Sequence, residues 1–310
     1  MSDTLKIPTP DEIKAVKGRG FLLDKTTGRH FNARVITVNG KMTAEKMTAV
    51  AEAAKRFGNG EVAMTVRLTL EVQHIPFESI EPFTAFLAER GLKTGGTGPK
   101  VRPVVSCKGT TCGYGLIDTF GLSEKLHTLF YEGYHNVTLP HKFKIAVGGC
   151  PNNCAKPDLN DLGVIGQRVY TVNKDACRAC KKCAIESACP IGAGKVEDGK
   201  INLPNASCNR CGRCFGKCPF GVLEEAREGY KITLGGKWGK KTAVGRPLSV
   251  ILTDEAEVLR VVEGAILFFK AYGVSGERFG DTLDRVGFEK AEAMLLSGEL
   301  LARKTEILGG

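Results

Sequence analysis

The chain has 310 residues, of which 42% are hydrophobic and 7% aromatic, and its formal net charge is +10. This length and apolar content exclude a disordered chain and predict two or three domains with their own cores. A positive charge can indicate nucleic-acid binding, but no run of basic residues and no nucleic-acid motif accompanies it. We therefore predict no nucleic-acid partner.

The segment MSDTLKIPTPDEIKAVKGRG at the start of the chain lacks the charged region and the apolar core of a signal peptide. The longest apolar run, GAILFF at 264–269, is too short to cross a bilayer. We expect a soluble cytoplasmic protein with no membrane partner.

The first hundred residues show alternating strand and helix patterns. Strand patterns cover 31–38 and 61–70, and helix patterns cover 43–58 and 78–91. Thr43 is placed to cap the first helix, and Gly91 to end the second. A β-α-β-α unit of this size fits a ferredoxin-like α+β half-domain, which we assign to residues 1–99.

A second domain is predicted to begin at Lys100, with strands VRPVVS and FKIAVG and a helix near 116–131. In the segment HKFKIAVGG, Lys142 and Lys144 flank Phe143. Residues two apart on a strand point to the same face, so the two ammonium groups are expected to aim at one place.

All twelve cysteines lie between residues 107 and 218 of the chain. Their positions are Cys107, Cys112, Cys150, Cys154, Cys177, Cys180, Cys183, Cys189, Cys208, Cys211, Cys214 and Cys218. Clustered C-x2-C spacings in a cytoplasmic chain favour metal binding over disulfides.

Two cysteine runs within residues 172–226 form the most specific motif. CNRCGRCFGKCP, starting at Cys208, has the C-x2-C-x2-C-x3-C-P spacing of bacterial two-cluster ferredoxins. CRACKKCAIESACP, starting at Cys177, has two more residues before its fourth cysteine. We predict an inserted domain that binds two [4Fe–4S] clusters and transfers electrons; a zinc site is the alternative.

In the ferredoxin pattern the fourth cysteine of each run binds the cluster of the other run. The first predicted ligand set is therefore Cys177, Cys180, Cys183 and Cys218. The second predicted set is Cys208, Cys211, Cys214 and Cys189.

After the insert, a strand at 230–236 and a helix at 254–272 are predicted, and further helices close the chain. The apolar face of the long helix comprises Val258, Val261, Val262, Ala265 and Phe269. We assign residues 100–171 and 227–310 to one domain, interrupted by the insert at 172–226.

Five segments resemble the siroheme and [4Fe–4S] sulfite and nitrite reductases. They are TVRLTLEVQHIP (65–76), GGTGPKVRPVVSCKGTTCGYG (95–115), LPHKFKIAVGGCPNNC (139–154), KPDLNDLGVIG (156–166) and GGKWGKK (235–241). The resemblance covers nearly the whole chain, which looks most like the catalytic C subunits of anaerobic sulfite reductases. It implies an α+β fold, with a ferredoxin-like half-domain, a siroheme and [4Fe–4S] domain and an inserted two-cluster ferredoxin domain.

The resemblance also implies siroheme and a third [4Fe–4S] cluster. The ligands of that cluster would be Cys107, Cys112, Cys150 and Cys154, with Cys154 also bridging to the siroheme iron. Siroheme contacts are implied for Arg67, Gln73, Asn152 and Asn153. The first cysteine pair is spaced C-x4-C where the family usually has C-x5-C, and Leu70–Glu71 stands where many relatives have Arg-Gln.

By the same resemblance, Arg34, Arg102, Lys142 and Lys144 surround the bound oxyanion. An anion that leaves water needs such partners, because an unpaired buried charge is strongly disfavoured. We expect these residues to bind sulfite and to deliver protons while six electrons reduce it to sulfide.

Other functions remain open at this point. Nitrite reduction to ammonia would suit the same cations, and a three-cluster electron carrier without siroheme would suit the cysteines. A siroheme protein that only binds anions is a third alternative. The expected electron donor is a ferredoxin, or flavoprotein and iron–sulfur partner subunits, and the chain is expected to form a homo-oligomer or a heteromeric complex.

Overall fold

Helices and strands alternate through residues 6–204 and 206–309, the part of the chain that the computed structural model describes. The strands are β1 Phe21–Leu23, β2 His30–Val35, β3 Val62–Met64, β4 Leu70–Pro76, β5 Val105–Ser106, β6 Ile145–Gly148, β7 Leu162–Val172, β8 Lys195–Glu197, β9 Lys200–Asn202, β10 Leu223–Leu234 and β11 Arg246–Leu252. The helices are α1 Pro10–Lys17, α2 Ala44–Phe57, α3 Ile80–Ala88, α4 Thr119–Leu126, α5 Ala184–Ala188, α6 Glu255–Tyr272, α7 Phe279–Val286, α8 Phe288–Ser297, α9 Glu299–Ala302 and α10 Lys304–Leu308. The terminal residues and residue 205 of the predicted domains lie outside the described part.

Contacts divide the chain into two units. The first comprises Met1–Ser106, Ser123–Ile145 and Glu263–Gly310, and the second Cys107–Leu122 and Ala146–Val262.

The first unit contains a four-stranded antiparallel sheet with strand order β1-β2-β4-β3. Its core residues include Phe21, Phe31, Val72 and Phe83, all fully buried, and residues of α2 and α3 complete the same core. The Thr43 side chain accepts a hydrogen bond from the Lys46 backbone N–H at 3.3 Å, so the predicted N-cap of α2 is confirmed. The sheet and its helices form an α+β layer pair, as the sequence pattern predicted.

The continuous strand predicted at 61–70 is wrong. β3 and β4 instead form an antiparallel hairpin in which Met64 pairs with Leu70. The Thr65 and Thr69 hydroxyls lie 2.7 Å apart across the turn, and Leu68 takes a left-handed φ of 59°. The apolar alternation runs through the turn, so the pattern alone did not show where the chain reverses.

The second unit is built around a long antiparallel ribbon of β7 and β10, flanked by β11 on one side and β6 on the other. The ribbon register runs from Leu234 opposite Leu162 to Leu223 opposite Val172. Residues 173–222 are therefore an excursion from the end of one ribbon, entering and leaving at paired positions.

The excursion is mostly loop, as predicted, with the short helix α5 and the β8–β9 hairpin. Its small core comprises Tyr170, Ile185, Ile201, Cys214, Val222 and Leu223. The first cysteine run, which has two more residues before its fourth cysteine, forms helix α5 there. Ile185 of this helix lies in the core and is 1% exposed.

The predicted apolar face of α6 is confirmed. Val258, Val261, Val262, Ala265 and Phe269 have no exposed surface. In the first unit, the Phe143, Phe269 and Phe279 rings lie 5.0–6.0 Å apart, centroid to centroid. None of the helices in the described part of the chain combines the length and the apolarity needed to span a bilayer.

Candidate cluster and anion sites

Four thiols of the second unit lie close enough to interact. Burial raises the pKa of Cys150, and the charges of Cys107, Cys154 and Cys112 raise it further. Mutual repulsion of this kind is relieved when a cationic metal centre binds the thiolates. Cys112 belongs to the group although its pair has the shorter C-x4-C spacing.

Glycines allow the two cysteine loops to approach each other. A Cβ on Gly149 would lie 2.8 Å from Gly109 Cα, and a Cβ on Gly115 would lie 1.9 Å from Gly109 O. The Gly149 N–H donates to Cys107 Sγ at 3.1 Å, and the Cys107 N–H donates to Val147 O at 3.0 Å. Both loops are thus fixed by backbone contacts that larger residues would prevent.

The asparagines of the CPNNC segment have different surroundings. Asn153 takes a left-handed φ of 58°, and its Nδ2 donates to Asp158 Oδ1 at 2.7 Å. Its Oδ1 is buried and has no hydrogen-bond partner among the described residues. A buried orphan acceptor beside the four thiols fits a site completed by a cofactor. Asn152 and Cys154 are exposed. Their side chains are therefore accessible to a cofactor bound at this place.

The first ferredoxin-type run surrounds a cavity of about 210 Å³. Its lining includes Cys177, Cys180, Cys183 and Cys218, the four thiols of the first predicted set. A single zinc ion needs four thiolates at about 2.3 Å from one point, whereas a cavity of this volume has room for an iron–sulfur cubane. The volume is compatible with a cluster, and both the cluster and its ligand set stay predictions.

The second run places Cys208 and Cys214 beside Tyr170. The Tyr170 hydroxyl lies 3.5 Å from Cys208 Sγ, and burial raises the pKa of Cys214, with the charges of Cys208 and Cys211 adding to the effect. For Cys189, burial opposes ionisation, but backbone N–H groups of residues 191–194 lower its pKa overall. Donors of this kind stabilise cluster thiolates.

The second run lies beside the four-thiol group. A cavity of about 520 Å³ is lined both by Cys150, Pro151 and Asn152 and by residues 209 and 211–213 of the run. The Arg213 guanidinium lies over the Tyr114 ring at 4.9 Å, and the Arg168 N–H donates to Arg210 O at 2.8 Å. One candidate cluster site of the excursion is thus adjacent to the site at Cys150.

In the first unit, Lys142 and Lys144 flank the fully buried Phe143, as the predicted alternation requires. The regular strand begins only at Ile145, so the predicted strand is shorter at this end, although Phe143 forms an isolated bridge with Val101. Both lysines are partly exposed.

Several cationic side chains lie near His141, which adjoins these lysines. Burial lowers the pKa of His141, and the charges of Lys142, Arg278, Arg102 and Lys144 lower it further. Three of the four predicted anion-binding residues therefore share one place in the first unit. The Lys142 N–H donates to His141 Nδ1 at 2.7 Å, which leaves the proton of the neutral ring on Nε2.

The fourth predicted anion-binding residue, Arg34, has an acidic neighbour. Arg34 Nε lies 3.2 Å from Glu71 Oε2, and the two side chains are 28% and 16% exposed. Of the residues expected to contact siroheme, Arg67 donates to Ile145 O at 2.9 Å, and Gln73 is partly exposed on β4.

The glycine-rich segment after α3 is tied to the cation group. The Arg102 guanidinium donates to Gly96 O, and the Gly96 N–H donates to Tyr131 Oη at 3.1 Å. Gly95 has a φ of 158° and comes so close to Tyr131 that a Cβ would lie 2.6 Å from Oη. The segment is thus an ordered backbone loop rather than a flexible one.

Sequence reasoning missed His141 and Arg278. His141 adjoins Lys142, and this adjacency was a usable signal. Arg278 lies 134 residues beyond Lys144, in a segment assigned only to helix, and no local pattern could have placed it in the group. It stands immediately before α7, as the N-cap of that helix.

The cysteine groups are suited to iron–sulfur clusters, and a group of cations lies around Lys142 and Lys144. Together these features indicate a redox protein that binds iron–sulfur clusters. Family models agree: the nitrite and sulphite reductase 4Fe-4S domain matches residues 97–300, and the nitrite/sulfite reductase ferredoxin-like half domain matches residues 24–90. The chain belongs to the nitrite and sulfite reductase family. The resemblance seen in the sequence motifs is confirmed.

Among curated relatives, the coenzyme F420-dependent sulfite reductase of Methanocaldococcus jannaschii is 31% identical over 275 residues, which are 87% of this chain and 43% of that protein. The C subunit of the anaerobic sulfite reductase of Salmonella typhimurium is 28% identical, in an alignment that covers 93% of this chain and 89% of that subunit. This chain therefore spans less than half the length of the first relative and most of the second.

Among solved structures, dissimilatory sulfite reductase I aligns with a TM-score of 0.68 at 23% identity, over 87% of this chain and 69% of that one. The NirA protein of Mycobacterium tuberculosis aligns with a TM-score of 0.66 at 15% identity, over 95% of this chain and 48% of that one. At these identities the likeness shows a common fold.

Proposed function

We propose that this chain reduces sulfite to sulfide in a six-electron reaction at siroheme coupled to a [4Fe–4S] cluster. The observation that carries the proposal is the adjacency, within one unit, of the Cys150 loop and the second cysteine run around a common cavity. A reductase of this class must deliver electrons to its catalytic cluster, and the cavity puts a second candidate cluster site next to it. The two curated relatives, sulfite reductases by name at 31% and 28% identity, favour sulfite as the anion.

Each cofactor has its own set of residues in this proposal. Cys107, Cys112, Cys150 and Cys154 would hold the coupled cluster, with Cys154 shared with the siroheme iron. Cys177, Cys180, Cys183 and Cys218 would hold the outermost cluster, and Cys208, Cys211, Cys214 and Cys189 the one between. Siroheme would supply the iron to which the anion binds, and Asn153 Oδ1, Asn152, Arg67 and Gln73 are assigned to its periphery.

The cations of the first unit have a defined task in this proposal. An anion loses its hydration when it enters a closed site. Each positive unit charge at 4 Å offsets this loss with about 4 kcal/mol of electrostatic attraction at an effective dielectric of 20. Lys142, Lys144 and Arg102 provide that charge, and Arg278 joins them. The lysines also hold protons where the S–O bonds break, so that the oxygens can leave as water.

A viologen-coupled assay with sulfite tests the proposal. Lys144→Ala is expected to lower kcat/KM for sulfite at least about a hundredfold, the usual scale for losing a positioned proton donor. Lys290→Ala, which removes an exposed lysine on α8, is the matched control and should leave the rate unchanged. Equal rates in both variants, with the cofactors retained, would contradict the role assigned to Lys144.

Nitrite serves as the second substrate in the same assay. If the wild-type protein has a higher kcat/KM for nitrite than for sulfite, nitrite becomes the proposed substrate in place of sulfite. Absence of siroheme from the purified protein would instead favour the electron-carrier alternative.

The proposed donor is a partner redox protein, and the proposed assembly is a homo-oligomer or a heteromeric complex. The Salmonella relative is by name one subunit of its enzyme, which supports an assembly of several chains.

A further inference from the structure

The outer face of the excursion combines exposed cations with an exposed thiol. We call it the motif-1 face and define it by Arg178, Cys180, Lys181, Lys182, Lys200 and Phe220. All six residues are exposed. Lys200 lies on β9, between Gly199 and Ile201, which both line the cavity of the first run. The face therefore surrounds the first predicted cluster site with positive charge.

Apolar side chains occupy the middle of the motif-1 face. Phe220 is 47% exposed and Val196 is 37% exposed, and both line the cavity with the four thiols. Large exposed apolar residues beside a charged rim mark surfaces that bind other proteins. In this case the apolar residues line the same cavity as the thiols that would hold the cluster.

Two of the four carboxylates near this face accept hydrogen bonds within the excursion. Glu186 accepts the Val196 N–H at 3.2 Å, and Glu197 accepts Asn202 Nδ2 at 2.6 Å. Asp198 and Asp175 are exposed at its margin. Among the described residues that line the thiol cavity, Arg178 and Lys182 are charged and none is acidic.

The two cysteine runs differ in what adjoins them. The second run shares a cavity with Cys150 and contacts Tyr114 through Arg213. The described residues that line the cavity of the first run all belong to the excursion, from Cys177 to Val222. The first run is thus the outer end of the row of candidate cluster sites, where electrons would enter in the proposed function.

We propose that the motif-1 face is the docking surface for an acidic electron-donor protein. This inference rests on the proposed function and adds the entry point and the charge of the donor. Cations around the cluster would attract carboxylates on the donor and orient it, while Phe220 and Val196 provide a small dry contact over the thiols. An interface of this kind is weak and transient, as electron-transfer encounters are.

The test measures binding rather than turnover. The probe is an acidic bacterial two-[4Fe–4S] ferredoxin, titrated into the cofactor-loaded protein by anaerobic calorimetry. The variant K181E/K182E reverses two exposed charges of the motif-1 face. The control K14E/K17E makes the same charge change on two exposed lysines of α1, and K181Q/K182Q provides an intermediate step.

We expect K181E/K182E to weaken binding at least about tenfold at low salt, with the difference shrinking as salt shortens the Debye length to about 8 Å and below. The glutamine variant should fall between it and wild type, and the control should bind like wild type. Iron content is measured in every variant, so that loss of a cluster is not mistaken for loss of docking.

Equal weakening in K181E/K182E and the control would overturn the proposal, since it would show a response to net charge alone. Binding that is insensitive to salt and to both substitutions, or no binding of the ferredoxin by wild type at low salt, would overturn it as well. Failure of the proposed function is recognised separately: dithionite-reduced methyl viologen would then support no sulfite reduction by the wild-type protein, whatever the ferredoxin does.

Discussion

At the residue scale, Arg34, one of the predicted anion-binding residues, forms an ion pair with Glu71. The carboxylate lies within 3.2 Å of the guanidinium and is only 16% exposed. A negative charge at this place partly cancels the attraction of Arg34 for an anion. In the proposed function, Glu71 would therefore make Arg34 a weaker anion partner than an arginine with a neutral neighbour.

Glu71→Gln should increase the apparent affinity for sulfite. We expect KM to fall about fivefold, which corresponds to removing roughly 1 kcal/mol of repulsion from a partly exposed charge. Steady-state kinetics with a viologen donor measures this. Glu81→Gln, which removes the carboxylate paired with Arg19 at 2.6 Å, is the matched control and should leave KM unchanged.

His127 gives the fold a pH dependence of its own. Burial lowers its pKa from 6.5 to about 4, and the residue is 2% exposed against the Tyr131 ring at 4.6 Å. Below pH 6.5 the unfolded chain takes up a proton that the folded chain does not, so stability falls as the pH falls.

Between about pH 6.5 and pH 5 we expect this residue to cost roughly 1.5 kcal/mol of unfolding free energy. His127→Phe keeps a ring at the site and removes the titration. Urea unfolding at several pH values should therefore show a flatter profile for the variant over this interval. Parallel profiles for the two proteins would show that His127 is not the source.

At the scale of elements, the approach of two loops decides whether four thiols can meet. Gly149 adjoins Cys150, and its backbone lies against Gly109 and Thr119. A short 3₁₀ turn at Gly109–Thr111 lets the C-x4-C loop bring Cys112 to the group.

Gly149→Ala should impair cluster binding at this site. The new Cβ would lie 2.8 Å from Gly109 Cα, closer than real contacts allow, so the loops must separate. Gly113→Ala is the control, because Gly113 adjoins Cys112 and a Cβ there meets nothing within 4 Å. Iron per protein should fall by about four atoms in the first variant only. Full iron content in Gly149→Ala would contradict the assignment.

Elements with long periodic patterns were predictable, and the hairpin between β3 and β4 was not. The face of α6 and the Thr43 cap follow from local spacing. The reversal at 65–69 depends on side-chain hydrogen bonds between two threonines, within a segment that alternates like a strand throughout. The alternation of apolar and polar residues indicates which side chains are buried. It does not indicate where the chain turns when both strands of a hairpin continue the same alternation.

At the scale of the whole molecule, the excursion leaves and rejoins the sheet between two opposite residues, Val172 and Leu223, at the end of the β7–β10 ribbon. The excursion also contacts the ribbon at Arg210, whose backbone oxygen accepts the Arg168 N–H at 2.8 Å. Apart from a bulge between Glu224 and Arg227, the strand pairing continues up to the insertion.

Replacing residues 174–221 with a two-residue Asn-Gly turn should leave a folded protein. The ribbon register from Leu162 to Val172 supports such a hairpin. We expect iron to fall by about eight atoms per chain, the content of two [4Fe–4S] clusters, while siroheme is retained. Loss of siroheme together with the iron, in a variant whose circular dichroism still shows native sheet, would contradict the assigned separation of tasks.

The candidate site was predictable where it is local in sequence and not where it is assembled by the fold. The cysteine runs and the Lys142–Lys144 alternation are visible in the sequence because their spacing is fixed by ligand geometry and by the strand period. The positions of Arg278 in the cation group and of Glu71 beside Arg34 result from tertiary packing. No local pattern encodes either of them.

The central claim, a siroheme-coupled cluster fed by two further clusters, is tested most directly by the pigment and iron content of the anaerobically purified protein. An isobacteriochlorin spectrum after extraction into acid acetone, with about twelve cluster irons and one further iron per chain, is the predicted result. A brown protein that contains cluster iron but no extractable tetrapyrrole, even after expression with ample siroheme, would contradict the claim.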